Sequence, residues 1–406
     1  MVEIKGEVMG MEQRSLNRDQ LHDLNLKLVL QQIINHPATS RIEISHELEL
    51  HKSTISSLYN TLMAKQLLTE IGQGAASNVG GRKPTMVTVN RDYGYTVTFD
   101  LGYRHLHATA NNIDTTIIEY QRIDIVDQPI TVMVAKCQAF LAKIASEVTT
   151  VNGLLGICFS IHGIIKDNQI LQSPWIDMQD VDLVRVFETQ YHVPVLLENE
   201  ANLSAIYARD FSTDQPYRSF VTLSIHRGIG AGIILDQQLS RGENGRGGEI
   251  GKTLTLLGPN TAGQSVESLC SEDALITRIE NAKQLEHLDR TAIIKLFDAG
   301  DRDTERILRQ ACSVVAGLIF NVVTMLDPQA VFINSPLIEG LPELMDEIRG
   351  DYQDIAQTDF PINLIPRTQY VTLLGGCSLI THHVLNLDDY ELRFQQGEVA
   401  APTSEN

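Results

Sequence analysis

Residues 224–232 read SIHRGIGAG, with Gly228, Gly230 and Gly232 at alternate positions behind the apolar run SFVTL. Glycine lets backbone N–H groups approach an anion closely, because no Cβ intervenes, and that is the chemistry of a phosphate cradle. His226 and Arg227 stand where such a loop is expected to carry a small hydroxyl or another glycine. On glycine spacing alone a tight turn is the simpler reading. A second chemical stretch lies in HKSTISSLYNTLMAKQLL, where Lys52, Ser53, Thr54, Ser56, Ser57 and Asn60 gather small hydroxyls, one amide and one cation. Such a face suits a DNA major groove, where bulky side chains would hold a helix away. In GGRKP, Arg82 and Lys83 can reach a phosphate or a narrow minor groove.

The elements around that stretch read as a winged helix-turn-helix. DLNLKLVLQQIINHP carries Leu24, Leu28, Ile33 and Ile34 at imperfect helical spacing and ends before Pro37. Ser40 and Glu43 then stand at capping-box spacing, each able to satisfy the other's backbone N–H. In the next helix Ile55, Leu58 and Leu62 define the buried face, opposite the polar set. LLTEIGQG and TMVTVN read as the two strands of a wing. A small helical dimerisation or adaptor domain with a solvated polar face is the alternative.

Bulk numbers limit the rest. At 406 residues, 43% hydrophobic and 20% charged, the chain is expected to hold two or three globular domains. Through Asn90 nine Lys and Arg residues balance nine Asp and Glu, so the whole net charge of −19 falls on the remainder. That remainder repels nucleic acid, and only the N-terminal segment is suited to approach it. No run of about 20 apolar residues and no signal peptide is read, so the expectation is a cytoplasmic protein without a membrane partner. The five cysteines, Cys137, Cys158, Cys270, Cys312 and Cys377, are widely spaced, which argues against a disulfide framework and for a reduced setting.

From about Tyr93 a β-β-β-α-β order appears, and a similar set restarts at RSFVTLSIH, which predicts a duplicated α/β domain with a cleft between its halves. With ENEAN, GEIG and MLDPQAVFI, the chain resembles the ROK family, which groups sugar-responsive repressors with sugar kinases, from about Leu21 to Leu385. The helix-turn-helix stretch is similar to that of the xylose-responsive members of Gram-positive bacteria. The expected fold is therefore α/β: an N-terminal winged helix-turn-helix followed by a two-lobed actin-like ATPase (ROK sugar kinase-like) body. The expected divisions are a flexible 1–20, a DNA-binding domain 21–90, a first α/β lobe 91–200, a second 201–394 and a flexible tail 395–406.

The resemblance implies a cleft altered on one side and kept on the other. All three ATP motifs of the family's kinases depart from pattern: DLGYR places Tyr103 and Arg104 in the first turn, Arg227 occupies the Thr position of the second, and Asn334, Ser335 and Pro336 replace glycines in the third. Proline removes a backbone donor and the extra Cβ atoms crowd the path of the adenosine. On the sugar side the resemblance assigns Asn199 and Glu200, with Glu200 at the catalytic aspartate position, then Glu249 and Lys252 in GEIGK, and Glu267. Lys252 takes the place of the family's zinc-binding His, and the neighbouring segment lacks the family's cysteines, so no zinc and no cofactor is expected. A Lys252–Glu267 pair and an Arg227–Asp100 pair are expected. Trp175, the single tryptophan, reads either as a core residue or as a plate against a sugar, with Asp177 adding hydroxyl contacts. Gly163 is expected to let the backbone pass close to the ligand.

These readings predict a DNA-binding repressor of sugar-utilisation genes without catalytic residues. A small sugar between the lobes, xylose first, is expected to release it from a palindromic operator. A homodimer is expected, with pairing of dimers left open. The alternatives are a DNA-tethered kinase with Glu200 as base and a repressor controlled by a protein partner.

Overall fold

The computed structural model describes residues 17–74, 83–211, 217–255 and 263–395. Its first helix, α1 (Arg18–Asn35), starts from a capping box between Asn17 and Gln20. It buries Val29, Leu30, Ile33 and Ile34, whereas Leu24 remains 37% exposed. The helix read from the spacing thus forms, and its C-terminal half supplies the buried residues. After β1 (Thr39–Ser40), the Ser40 hydroxyl accepts from Glu43 N at 3.3 Å and the Glu43 carboxylate accepts from Ser40 N at 2.7 Å, which fixes the start of α2 (Arg41–Glu47). Helix α3 (Lys52–Ala64) buries Ile55, Leu58, Tyr59 and Leu62. The wing is β2 (Leu68–Gln73) and β3 (Thr85–Val89), antiparallel, with β3 also pairing β1.

The body holds two similar five-stranded sheets. In the first, β4 (Tyr95–Leu101), β5 (His105–Asn112) and β6 (Ile117–Asp124) form an antiparallel meander. Helix α4 (Ile130–Glu147) follows, then β7 (Leu154–Ile161), the hairpin β8 (Ile164–Lys166) and β9 (Gln169–Gln172), α5 (Leu183–Tyr191) and β10 (Val195–Asn199). The strand order is β10-β7-β4-β5-β6, with β4, β7 and β10 parallel. After α6 (Glu200–Phe211), the pattern repeats as β11 (Phe220–Ile225), β12 (Ile229–Leu235) and a short β13 (Gln238–Leu239). Helices α7 (Val266–Cys270), α8 (Glu272–Lys283), α9 (Arg290–Asp298) and α10 (Arg302–Leu326) lead to β14 (Ala330–Asn334). Then come α11 (Pro336–Gly340), α12 (Glu343–Ala356), β15 (Ile362–Leu364) and α13 (Thr368–Val384). The second order is β13-β12-β11-β14-β15. The duplication read from the sequence is therefore present, with its third strand reduced to two residues.

Helices α6 and α13 pack on each other between the sheets, α6 against β11 and β12, α13 against β4 and β7. The approach is close: a Cβ on Gly375 would sit 2.0 Å from the Leu203 carbonyl oxygen. Helix α10 is long and apolar enough to cross a bilayer, although half of its apolar window is buried in the second lobe. All five cysteines are free and buried.

A segment after α13 ties the winged helix to the body. Leu387, Leu392 and Phe394 are buried in one apolar cluster with Val29, Leu30 and Ile33 of α1 and with Phe211, Tyr370 and Val371 of the body. The Gln31 and Asn35 side-chain amides both donate to Glu391 O at 2.9 Å, and Phe394 N donates to Asp210 O at 2.8 Å. No sequence pattern pointed to this strap.

Candidate functional site

Strand ends converge at the mouth between the lobes. Asp100 near the end of β4 accepts from the Ser160 hydroxyl at 2.7 Å and lies 3.2 Å from His162 Nε2. Burial works against the Asp100 charge, yet the His162 imidazole and the Ser160 hydroxyl hold its carboxyl at about 2. The same burial works against a charged His162, and the carboxylates of Asp100 and Glu200 outweigh it, raising His162 to about 9. At the β10–α6 junction Asn199 Oδ1 accepts from Ala201 N at 2.8 Å, capping α6, while Asn199 Nδ2 donates to Gly163 O at 2.6 Å. Glu200, only 7% exposed, accepts at Oε1 from Ser224 at 2.6 Å, Ser204 at 3.2 Å and Thr372 at 3.4 Å. His226 Nε2 lies 3.5 Å from that oxygen, without hydrogen-bond geometry. Beside it, buried Glu198 is held by Arg241 Nε at 2.7 Å and Asn202 Nδ2 at 2.8 Å.

The second lobe explains the alternating glycines. Residues two apart share one face of a strand. That face of β12 meets α6, where a Cβ on Gly232 would sit 2.4 Å from Ala201 O and one on Gly230 3.0 Å from Ala201 Cβ. At Gly228 the neighbour is a protein carboxylate: a Cβ would fall 2.7 Å from Glu267 Oε2. Glu267 accepts from Ile229 N at 2.9 Å, so an acid of the chain itself occupies the N–H donor of the loop. GRGGEIGK lies against the same strand, with Gly248 O accepting from Ala231 N at 2.8 Å. At the end of β14, buried Asn334 donates to Ser204 at 2.9 Å, while Ser335 caps α11 with Pro336 in its first turn.

Two expected pairs are replaced. Arg227 does not pair with Asp100; its Nε and Nη2 both lie 2.7 Å from Asp273 Oδ2, on the first turn of α8. Its guanidinium carbon stands 3.9 Å from the Tyr103 ring centroid and 4.6 Å from that of Trp175. The turn geometry aims Arg227 along the rim, where two aromatic faces and a nearer acid outcompete the cleft floor. Lys252 pairs with Glu249 at 2.5 Å rather than with Glu267, because one helical turn brings those two together while Glu267 is engaged by backbone. At Gly163 the chain itself makes a close approach: a Cβ there would sit 2.0 Å from Gln172 O of the β8–β9 hairpin.

The ROK family profile matches residues 96–372, which spans both sheets and this site. The chain belongs to the ROK family. It is 61% identical over 388 residues to the xylose repressor of Lactiplantibacillus pentosus, covering 96% of this chain and 100% of that protein. It is 36% identical over 376 residues to the xylose repressor of Staphylococcus xylosus, covering 91% and 98%. Its fold is similar to a crystal structure of a ROK family transcriptional regulator, a homolog of the E. coli MLC protein. That match has a TM-score of 0.73 at 19% identity and covers 91% of this chain and 98% of that one.

Within the ROK frame, the residues assigned from sequence fall into groups. Gly163, Asn199 and Glu200 meet at the floor. Glu249, Lys252 and Glu267 gather around the start of β12, and Trp175 stands on the rim against Arg227. Asp177 is exposed and accepts from Gln179 N at 3.0 Å, a local turn contact. His162, Ser160, Ser224 and Thr372 were not singled out, since isolated hydroxyls and imidazoles carry no spacing signal, and His226 was noted only as out of place in the glycine loop. On the winged helix, Lys52, Ser53, Ser57 and Asn60 are exposed on α3, with Thr54 and Ser56 half-buried beside them. Lys83 is exposed at the entry to β3, and Arg82 lies outside the described residues. Tyr59, also missed, donates to Glu70 at 2.8 Å and lies under Arg41 at 4.9 Å, tying α3 to the wing and to α2.

Proposed function

We propose that this protein is a sugar-responsive transcriptional repressor whose cleft binds a free sugar, D-xylose first, without phosphorylating it. The observation that carries the reading is the 61% identity to a xylose repressor along nearly the whole chain, winged helix and cleft alike. In this reading α3 enters the major groove with Lys52, Ser53, Thr54, Ser56, Ser57 and Asn60, and Arg82 and Lys83 of the wing meet phosphates. Two copies related by a two-fold axis meet a palindromic operator.

The sugar seat consists of Asn199 and Glu200 at the floor, Glu249, Lys252 and Glu267 on one side, and Gly163, Trp175 and Asp177 on the other. Glu200 supports such a role because its three partners are rotatable hydroxyls, which can turn toward a ligand while the carboxylate accepts from sugar hydroxyls. Absence of phosphoryl transfer is supported by the filled nucleotide side. Glu267 sits on the loop N–H, buried Asn334 is engaged by Ser204, and Pro336 occupies the first turn of α11 at the third motif. No zinc is included, because Lys252 replaces the imidazole ligand and a protonated ammonium cannot coordinate a metal.

Sugar binding acts only through different affinities in the two states of the protein. Titrating purified protein on its operator with pentoses and hexoses tests the reading, with D-xylose expected to release the DNA. Failure of every sugar to release it overturns the reading. Sugar phosphate formed from ATP and a sugar above background favours the tethered kinase.

A further inference from the structure

Three positions that depart from the ATP and sugar motifs turn out to be one another's partners. Tyr103 stands on the β4–β5 turn and Trp175 beyond β9, both on the first lobe, while Arg227 on the β11–β12 turn and Asp273 on α8 belong to the second. The Arg227 guanidinium lies between the two rings, at 3.9 Å from Tyr103 and 4.6 Å from Trp175. The rings meet edge-on at 6.3 Å. Asp273 holds two guanidinium nitrogens at 2.7 Å and so sets the plane that faces the aromatics. The remaining nitrogen, Nη1, is buried without a hydrogen-bond partner. A flat, always-charged group stacked on aromatic faces is a role that lysine cannot fill.

We infer that Arg227 is a positioning and specificity residue of the sugar seat: by clamping Tyr103 and Trp175 across the lobes it sets the Trp175 wall against which the sugar lies and holds the cleft in its sugar-binding form. The inference rests on the reading of the cleft as a sugar site. It differs from that reading in assigning the ligand response to a residue at a former phosphate-loop position, outside the floor that holds Glu200. The clamp is part of the sugar-binding state, so breaking it lowers sugar affinity and leaves the operator-bound state unchanged.

Trp175 is the single tryptophan of the chain, so its emission reports the clamp directly. Full-length Arg227→Ala, Arg227→Lys, Tyr103→Ala and Tyr103→Phe are compared with the parent by Trp emission and by D-xylose titration of the operator complex. Arg227→Ala and Tyr103→Ala are expected to shift the emission and to raise the D-xylose needed for half-release by about tenfold or more. Operator affinity without sugar stays within about twofold of the parent, since neither residue touches the winged helix. Arg227→Lys keeps the charge but resembles Arg227→Ala, and Tyr103→Phe, which keeps the ring face, resembles the parent. Unchanged emission in Arg227→Ala overturns the clamp. A shifted emission with unchanged half-release overturns the positioning role. If no sugar releases the parent from DNA, the proposed function fails, and the emission of Arg227→Ala against the parent still decides the clamp. Should Arg227→Ala fail to fold, the Tyr103→Ala and Tyr103→Phe pair carries the same outcomes.

Discussion

Helix α6 carries a buried acid at each end, and the two are held in opposite ways. Glu200 opens the helix at the cleft and rests on hydroxyls of Ser224, Ser204 and Thr372, with a histidine nearby that makes no hydrogen bond to it. Asp210, near the other end, is gripped by Arg209 at 2.7 and 2.9 Å, by the Ser378 hydroxyl at 2.5 Å and by His382 at 3.2 Å. Burial opposes the Asp210 charge, but Arg209 and His382 overcome it and hold the carboxyl far below its ordinary range. Neutral, rotatable donors can exchange a carboxylate for a ligand, whereas a charge-paired buried acid leaves no group to exchange. One end of a twelve-residue helix is therefore suited to binding and the other to structure. At 1.5 Å per residue the helix spans about 18 Å, from the cleft to the strap that holds α1.

Replacing each acid by its amide sharpens this contrast. Asp210→Asn leaves Arg209 and His382 without their partner in the interior, and a loss of about 3–5 kcal/mol in urea unfolding is expected. Parent-like unfolding would remove the structural role from that end. Glu200→Gln keeps an acceptor for the hydroxyls, so stability is expected within about 1 kcal/mol of the parent, while operator release requires at least about tenfold more sugar. An unaltered sugar response together with a large stability loss would make the two ends alike.

Asn60→Ala tests whether the far side of the strap reads bases. Operator binding is expected to weaken by about 1–3 kcal/mol with random DNA much less affected. Equal loss on both would take Asn60 out of base readout.

The smallest expected effect is a pH limb confined to the cleft end. His162 is raised from 6.5 to about 9, so its contribution is complete below about 6.5 and is lost as pH rises through 9. Asp100 is lowered from 3.8 to about 2, so its contribution is present above the ordinary carboxylate range and is lost as pH falls toward 2. Thermal melts between pH 6 and 9.5 should therefore decline on the alkaline side, and His162→Gln should flatten that decline. A variant that keeps the full limb would show that another group carries it.

The parts of the molecule legible in the sequence were those whose partners are near in the chain. The Ser40–Glu43 box formed as expected because its two groups lie three residues apart and need no tertiary context. The apolar spacing of Ile55, Leu58 and Leu62 identified the buried face of α3, leaving its hydroxyls and Asn60 outward. The first helix forms and ends before Pro37 as its spacing indicates, with Ile33 and Ile34 buried while Leu24 stays exposed. The cleft was legible as a set of motifs and illegible as a network. Arg227 was recognised as out of place in a phosphate loop, yet its true partner, Asp273, lies 46 positions away.

The sequence by itself determined the order of elements, the duplicated α/β halves and the family motifs, because local propensity, alternation and glycine placement act over a few residues. Tertiary structure alone decided what the alternate glycines of SIHRGIGAG are for. Their spacing matches one strand face, and only the packing of α6 and Glu267 against these glycines makes room for a helix and for a carboxylate on the Ile229 N–H. The strap from Leu387 to Phe394 was decided in the same way, since it is buried between the body and helix α1, whose residues lie more than 350 positions away in the chain.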